Sequence, residues 1–184
     1  MEKATRRLTL SAMFLALGLV LPFLTGQVPQ IGNMLLPMHL PVFLCGLLCG
    51  WQYGAAVGFA LPLLRSSLFA LPVMFPAATA MAFELMTYGL VAGLLYSRSR
   101  WQCLRALYRC LLAAMVAGRL VWGVVQSLQL GLSGSGFTME MFLAGALFNA
   151  IPGILLQLVL IPALMVALHR TGLVPFHTAR PEGA

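Results

Sequence analysis

Six stretches of this sequence each run for about the thickness of a bilayer with almost no charge: residues 8–24, 34–50, 53–70, 77–96, 110–130 and 141–168. An α-helix rises 1.5 Å per residue, so ~20 apolar residues cross a hydrocarbon core ~30 Å thick. In lipid a backbone has no water to bond to, and a helix satisfies its own N–H and C=O groups. The expected fold is therefore all-α and integral to the membrane: one domain, residues 1–184, built as a bundle of six transmembrane helices. Composition closes off the soluble alternative. Hydrophobic residues make up 61% of the chain and charged residues 8%, where soluble domains carry about 25%. A soluble fold of 184 residues has too little interior to hide that much apolar surface. Only Trp51-Gln52 separates the second and third runs, which predicts a tight helical hairpin. Pro72 and Pro76 bound the next connection, and Gly131-Leu132-Ser133-Gly134-Ser135-Gly136 makes a flexible break before the sixth run.

Charge gives this bundle a direction. The net charge is +7, but the basic residues sit at the ends of apolar runs rather than as a patch on a polar fold. They are a topology signal and not a nucleic-acid footprint. Lys3, Arg6 and Arg7 precede the first run, Arg98, Arg100, Arg105 and Arg109 lie between the fourth and fifth, and Arg170 and Arg180 follow the sixth. The opposite connections, 25–33, 71–76 and 131–140, contain no Lys or Arg. With six spans the basic side is cytoplasmic and carries both termini. The basic start and its apolar run resemble a signal peptide, but no small-x-small cleavage site leads to a soluble chain, so none is expected. Cys45, Cys49, Cys103 and Cys110 form no CxxC pair and read as small hydrophobes, with no metal role.

Ionisable side chains inside a membrane are costly and mark pathways or sites. His39, Arg65, Glu84, Arg119 and Asn149 lie on five different runs, each ~7–17 Å below the expected outer surface. In the inner half Gln157 is the main polar residue. Helical spacing extends the cluster: Tyr88 lies one turn from Glu84, and Trp122, Gln126 and Gln129 share a stripe with Arg119. Asn149, Gly153 and Gln157 form another stripe. Simpler readings stand beside the functional one. Arg65 would snorkel to the interface, His39 would be a structural histidine, Glu84 and one arginine a structural ion pair, and Gln126 and Gln129 helix glue. Arg119 is too deep to snorkel.

Two buried arginines against one buried glutamate leave one positive charge over, and an unpaired buried charge is heavily penalised. A monoanion held by bidentate hydrogen bonds to a guanidinium completes the set. The expected ligand is a small carboxylate-bearing metabolite entering from outside, with Trp122, Tyr88, Phe75 and Phe148 as apolar walls.

Several blocks resemble the substrate-binding S components of energy-coupling factor (ECF) vitamin transporters. They are Met38-His39-Leu40-Pro41-Val42-Phe43, Gly50-Trp51-Gln52-Tyr53-Gly54, Gly58-Phe59-Ala60-Leu61-Pro62-Leu63-Leu64-Arg65 and Phe83-Glu84-Leu85-Met86-Thr87-Tyr88. Ala12 and Ala16 match the AxxxA motif with which that family contacts its transmembrane energising subunit. Small residues four apart let two helices approach closely. The resemblance implies a capture subunit in a prokaryotic cell membrane that binds a vitamin on the outer face. It also implies that the subunit tips against the energising subunit, and that it has no cofactor of its own. Two ATPase subunits would hydrolyse ATP as separate chains; this chain has no Gly-rich phosphate loop. The Met-His-Leu-Pro and Phe-Glu-Leu patterns are closest to pantothenate-type members. Riboflavin, folate, biotin, thiamine or its pyrimidine precursor, and a queuosine precursor stay open as cargo.

Other classes fit less well. An enzyme could pair His39 with Glu84 as acid and base, but no HExxH, aspartate pair or serine-nucleophile motif accompanies them. A subunit without a ligand leaves the clustered polar groups unexplained. A channel needs polar lining through both halves, and here the inner half is nearly all apolar.

Overall fold

Apolar runs that cannot bond to water become helices, and the structure, a computed structural model, follows that rule. It describes residues 2–24, 37–99, 103–132 and 151–170. They form six α-helices and one π turn: α1 (Glu2–Leu24), α2 (His39–Cys49), α3 (Trp51–Phe69), the turn Met74–Ala78, α4 (Thr79–Arg98), α5 (Leu104–Leu132) and α6 (Ile151–Arg170). Among the described residues four stretches are long and apolar enough to cross a membrane: Ala4–Phe23, Met74–Arg98, Leu104–Gly131 and Ile151–Arg170.

The boundaries differ from the sequence expectations in ways that have local causes. The second run, 34–50, yields only the 11-residue α2, ~16 Å long. Pro37 and Met38 form a turn before it, and residues 34–36 lie outside the described residues. The α2–α3 break falls at Gly50 rather than at Trp51-Gln52. Gly50 has φ 107° and ψ 163°, a region essentially reserved for glycine. Nothing lies within 4 Å of where its Cβ would stand, so the constraint is torsional and not spatial. Helix α3 has length enough to cross but carries Gln52, Arg65, Ser66 and Ser67, and is the more polar for it. The fourth run begins with the π turn, inside which Phe75 is extended, φ −124° and ψ 132°. Helix α5 starts six residues before the expected 110–130, because the pattern stays helical beyond the apolar run. Leu107 and Leu111 are fully buried, while Arg105, Tyr108 and Arg109 face outward. Of the sixth run, residues 141–150 lie outside the described residues.

Helix α4 is the hub, packed against α2, α3 and α5; α1 covers α2 and α3, and α6 packs on α5 and α2. Apolar side chains gain little from meeting one another in lipid, so close backbone approach through small residues carries the packing. Glycines supply it here. A Cβ on Gly46 of α2 would stand 2.6 Å from the carbonyl oxygen of Gly89 in α4. One on Gly54 of α3 would stand 2.9 Å from the Gly46 nitrogen, and one on Gly58 would overlap the α4 backbone at Leu85.

The contacts also fix helix directions. Gly18 meets Leu61 and Phe23 meets Phe69, so α1 and α3 run parallel. The Cys45 thiol donates to Ser11 Oγ at 3.6 Å, with α2 antiparallel to α1. Gly89 against Gly54 and Leu85 against Gly58 make α4 antiparallel to α3. Leu104 and Tyr108 at the start of α5 line a groove with Val166, Ala167 and Arg170 at the end of α6. The exposed arginines Arg6, Arg7, Arg98, Arg105, Arg109 and Arg170 therefore gather at one end of the bundle.

Candidate functional site

Glu84 is the centre of the polar cluster. It lies on the inner face of α4 and is 2% exposed. Its Oε1 accepts the Tyr88 hydroxyl at 2.7 Å from one turn along the same helix. Arg119 Nη1 of α5 reaches the same oxygen at 3.1 Å, and His39 Nε2 at the start of α2 stands 3.7 Å from it. Three helices thus bring one carboxylate, one guanidinium, one imidazole and one phenol together.

The site's walls hold Tyr88 in place. Its ring stacks on Phe43 at 5.0 Å between centroids and tilts against His39 at 5.3 Å. On the other side it fills the space where a Cβ on Gly118 would be. Phe43 and Gly118 are site residues that reading for charge alone passes over. Phe43 lies one turn from His39, and Gly118 is the small residue beside an intramembrane arginine; those were the signals.

Arg119 is only partly used. Nη1 is spent on Glu84, while Nε and Nη2 are buried and have no hydrogen-bond partner among the described residues. These two nitrogens form one edge of the guanidinium, the edge that binds a carboxylate through two parallel hydrogen bonds. Further along the stripe, Trp122 is half-buried and Gln126 has a buried Oε1 without a partner among the described residues. Gln129 donates from Nε2 to Thr79 Oγ1 at 2.8 Å, tying α5 to the first turn of α4.

Not every expected residue joins the cluster. Arg65 is buried, 4% exposed, but it lies at the α1–α3 contact. Its Nη1 donates to the Leu19 carbonyl at 2.9 Å, and its guanidinium lies over the rings of Phe23 and Phe69 at 5.3 and 5.6 Å. The Glu84 partner is therefore Arg119, and the buried arginine left over by the charge count is Arg65, which lies outside the cluster rather than at the site. Asn149 and Phe148 lie outside the described residues, and Phe75 is 54% exposed on the π turn. Gln157, expected as the main polar group of the inner half, lies instead level with the cluster. Thirteen residues separate it from Arg170, and fourteen separate Glu84 from Arg98 and Arg119 from Arg105, placing all three ~20 Å from the basic end. Ala12 and Ala16 are exposed on the outer face of α1, opposite the inward Ser11, Phe14 and Gly18.

A family model described as the substrate-specific component of ECF transporters matches residues 6–168. The chain belongs to that family. No curated protein and no solved structure matches it. As an ECF substrate-specific component the chain is a multi-pass membrane protein of a transporter, and its task within the complex is to bind substrate.

Proposed function

We propose that this S component captures pantothenate, a small monoanionic vitamin, on the extracellular side for ATP-driven uptake. The observation that carries the reading is the open edge of Arg119: two buried guanidinium nitrogens without hydrogen-bond partners among the described residues, beside a nitrogen already in contact with Glu84. A carboxylate on that edge would satisfy both donors. His39, Tyr88, Trp122 and Gln126 would line the position from α2, α4 and α5, with Asn149 proposed to join them from the sixth span.

The topology that goes with this reading has six spans and cytoplasmic termini. The shared basic end supports that orientation under the positive-inside rule. The polar cluster then opens outward, and the apolar half beneath it blocks passage to the cytoplasm. Ala12 and Ala16, exposed together on α1, would receive the energising subunit. Two separate ATPase chains would supply the energy, and no cofactor is held by this chain.

Mass spectrometry of small molecules retained by the purified protein tests the cargo. Retained pantothenate is the expected result. Retention of a different vitamin would reject the substrate and keep the family role.

A further inference from the structure

Gln157 is 2% exposed and lies on the face of α6 that carries Gly153, Ile161 and Met165. Helix α6 packs against α2 and α5, the helices that carry His39 and Arg119. The usual work of a buried glutamine in a membrane bundle is to bond to a neighbouring helix. Gln157 Nε2 makes no such bond among the described residues, where it is buried with no hydrogen-bond partner. Leaving a buried donor without an acceptor is costly, so the position needs another reason. Its level supplies one, because it stands as far from the basic end as Glu84 and Arg119 do.

We infer that Gln157 is a substrate-contacting residue on α6, whose Nε2 donates to an uncharged oxygen, outside the carboxylate group, of the ligand held by Arg119. This rests on the Arg119 reading and narrows it to a substrate class. Gln126 Oε1, also buried without a partner among the described residues, asks for a donor, while Gln157 asks for an acceptor. A carboxylate that also carries an amide or hydroxyl groups meets both demands. A simple fatty acid meets neither.

The test compares pantothenate with hexanoate, a carboxylate without a second polar group, by titration calorimetry on the full-length protein in nanodiscs. Gln157→Met keeps the volume and removes the donor. It is expected to weaken pantothenate about five- to tenfold, the worth of one neutral hydrogen bond, and to leave hexanoate unchanged. Because it removes an unsatisfied donor, the ligand-free variant is expected to melt no lower than wild type. Gln157→Glu, which sets a carboxylate against the substrate anion, is expected to lose more pantothenate affinity than Gln157→Met. Unchanged pantothenate binding in both variants would overturn the inference while leaving Arg119 in place. So would an equal loss for both ligands together with a lower melting temperature, which would mark Gln157 as structural. Wild-type protein that binds neither ligand would overturn this inference and the proposed function together.

Discussion

At the residue scale the account turns on one ion pair with capacity to spare. Removing Arg119 alone confounds two effects, because it strips the ligand site and also leaves Glu84 buried without its cation. Breaking a buried pair on one side costs about 3–5 kcal/mol. Replacing both members by uncharged groups of similar size is close to neutral. Glu84→Gln with Arg119→Met is therefore expected to melt within a few degrees of wild type and to lose ligand binding by at least about a hundredfold. Arg119→Met alone is expected to lose both, and melting curves recorded beside binding isotherms separate the two cases. A second prediction concerns geometry. Arg119→Lys keeps the charge but loses the planar fork, so it is expected to retain most stability and to bind at least about tenfold more weakly; wild-type affinity would mean that charge alone is read. Tyr88 is simpler. Phe at position 88 preserves the stack on Phe43 and deletes the bond to Glu84, an expected loss of about 1–3 kcal/mol.

At the scale of elements, α2, α3 and α4 meet through glycines where side chains would keep them apart. The Gly54–Gly58 and Gly89–Gly93 spacings are visible in the sequence, and they mark the α3–α4 contact that sets Glu84 facing His39. Gly54→Leu is expected to prevent the bundle from assembling, because its Cβ meets backbone atoms of Gly46 that cannot swing aside. Gly50→Ala is expected to be milder, about 1–3 kcal/mol from torsion alone, since its surroundings are open. Fluorescence-detected size exclusion distinguishes the two, with the monodisperse peak lost only for Gly54→Leu. The polar cluster was legible where lipid makes polarity conspicuous: His39, Glu84 and Arg119 stand out from apolar neighbours, Tyr88 lies one turn from Glu84, and the structure brings the four together. Arg65 stands out equally, yet it lies elsewhere. Helical rise gives a residue's depth from sequence, but only helix packing decides which neighbour covers it at that depth, and there α1 covers α3. The break at Gly50 and the early start of α5 are not legible in hydropathy, for a related reason. Hydropathy marks where lipid begins, while torsion and amphipathic periodicity decide where a helix does.

On the scale of the whole molecule, the bundle has two kinds of outer surface. The α5 residues Leu112, Val116, Leu120, Val124 and Leu128 are 50–61% exposed at one-turn spacing, a face suited to acyl chains. The exposed face of α1 differs by carrying Ala12 and Ala16 between its larger residues. Ala16→Trp is expected to leave substrate binding unchanged and to abolish uptake in cells that also express the energising subunit and ATPases. Loss of binding in the isolated variant would place that face in the bundle's own packing instead.

The most direct measurement of the central claim is an equilibrium titration of pantothenate into the purified full-length protein, wild type beside the Glu84→Gln, Arg119→Met double variant. The account predicts saturable one-to-one binding by wild type and none by the double variant at the same concentrations, with both proteins folded. Equal binding by the two would contradict it.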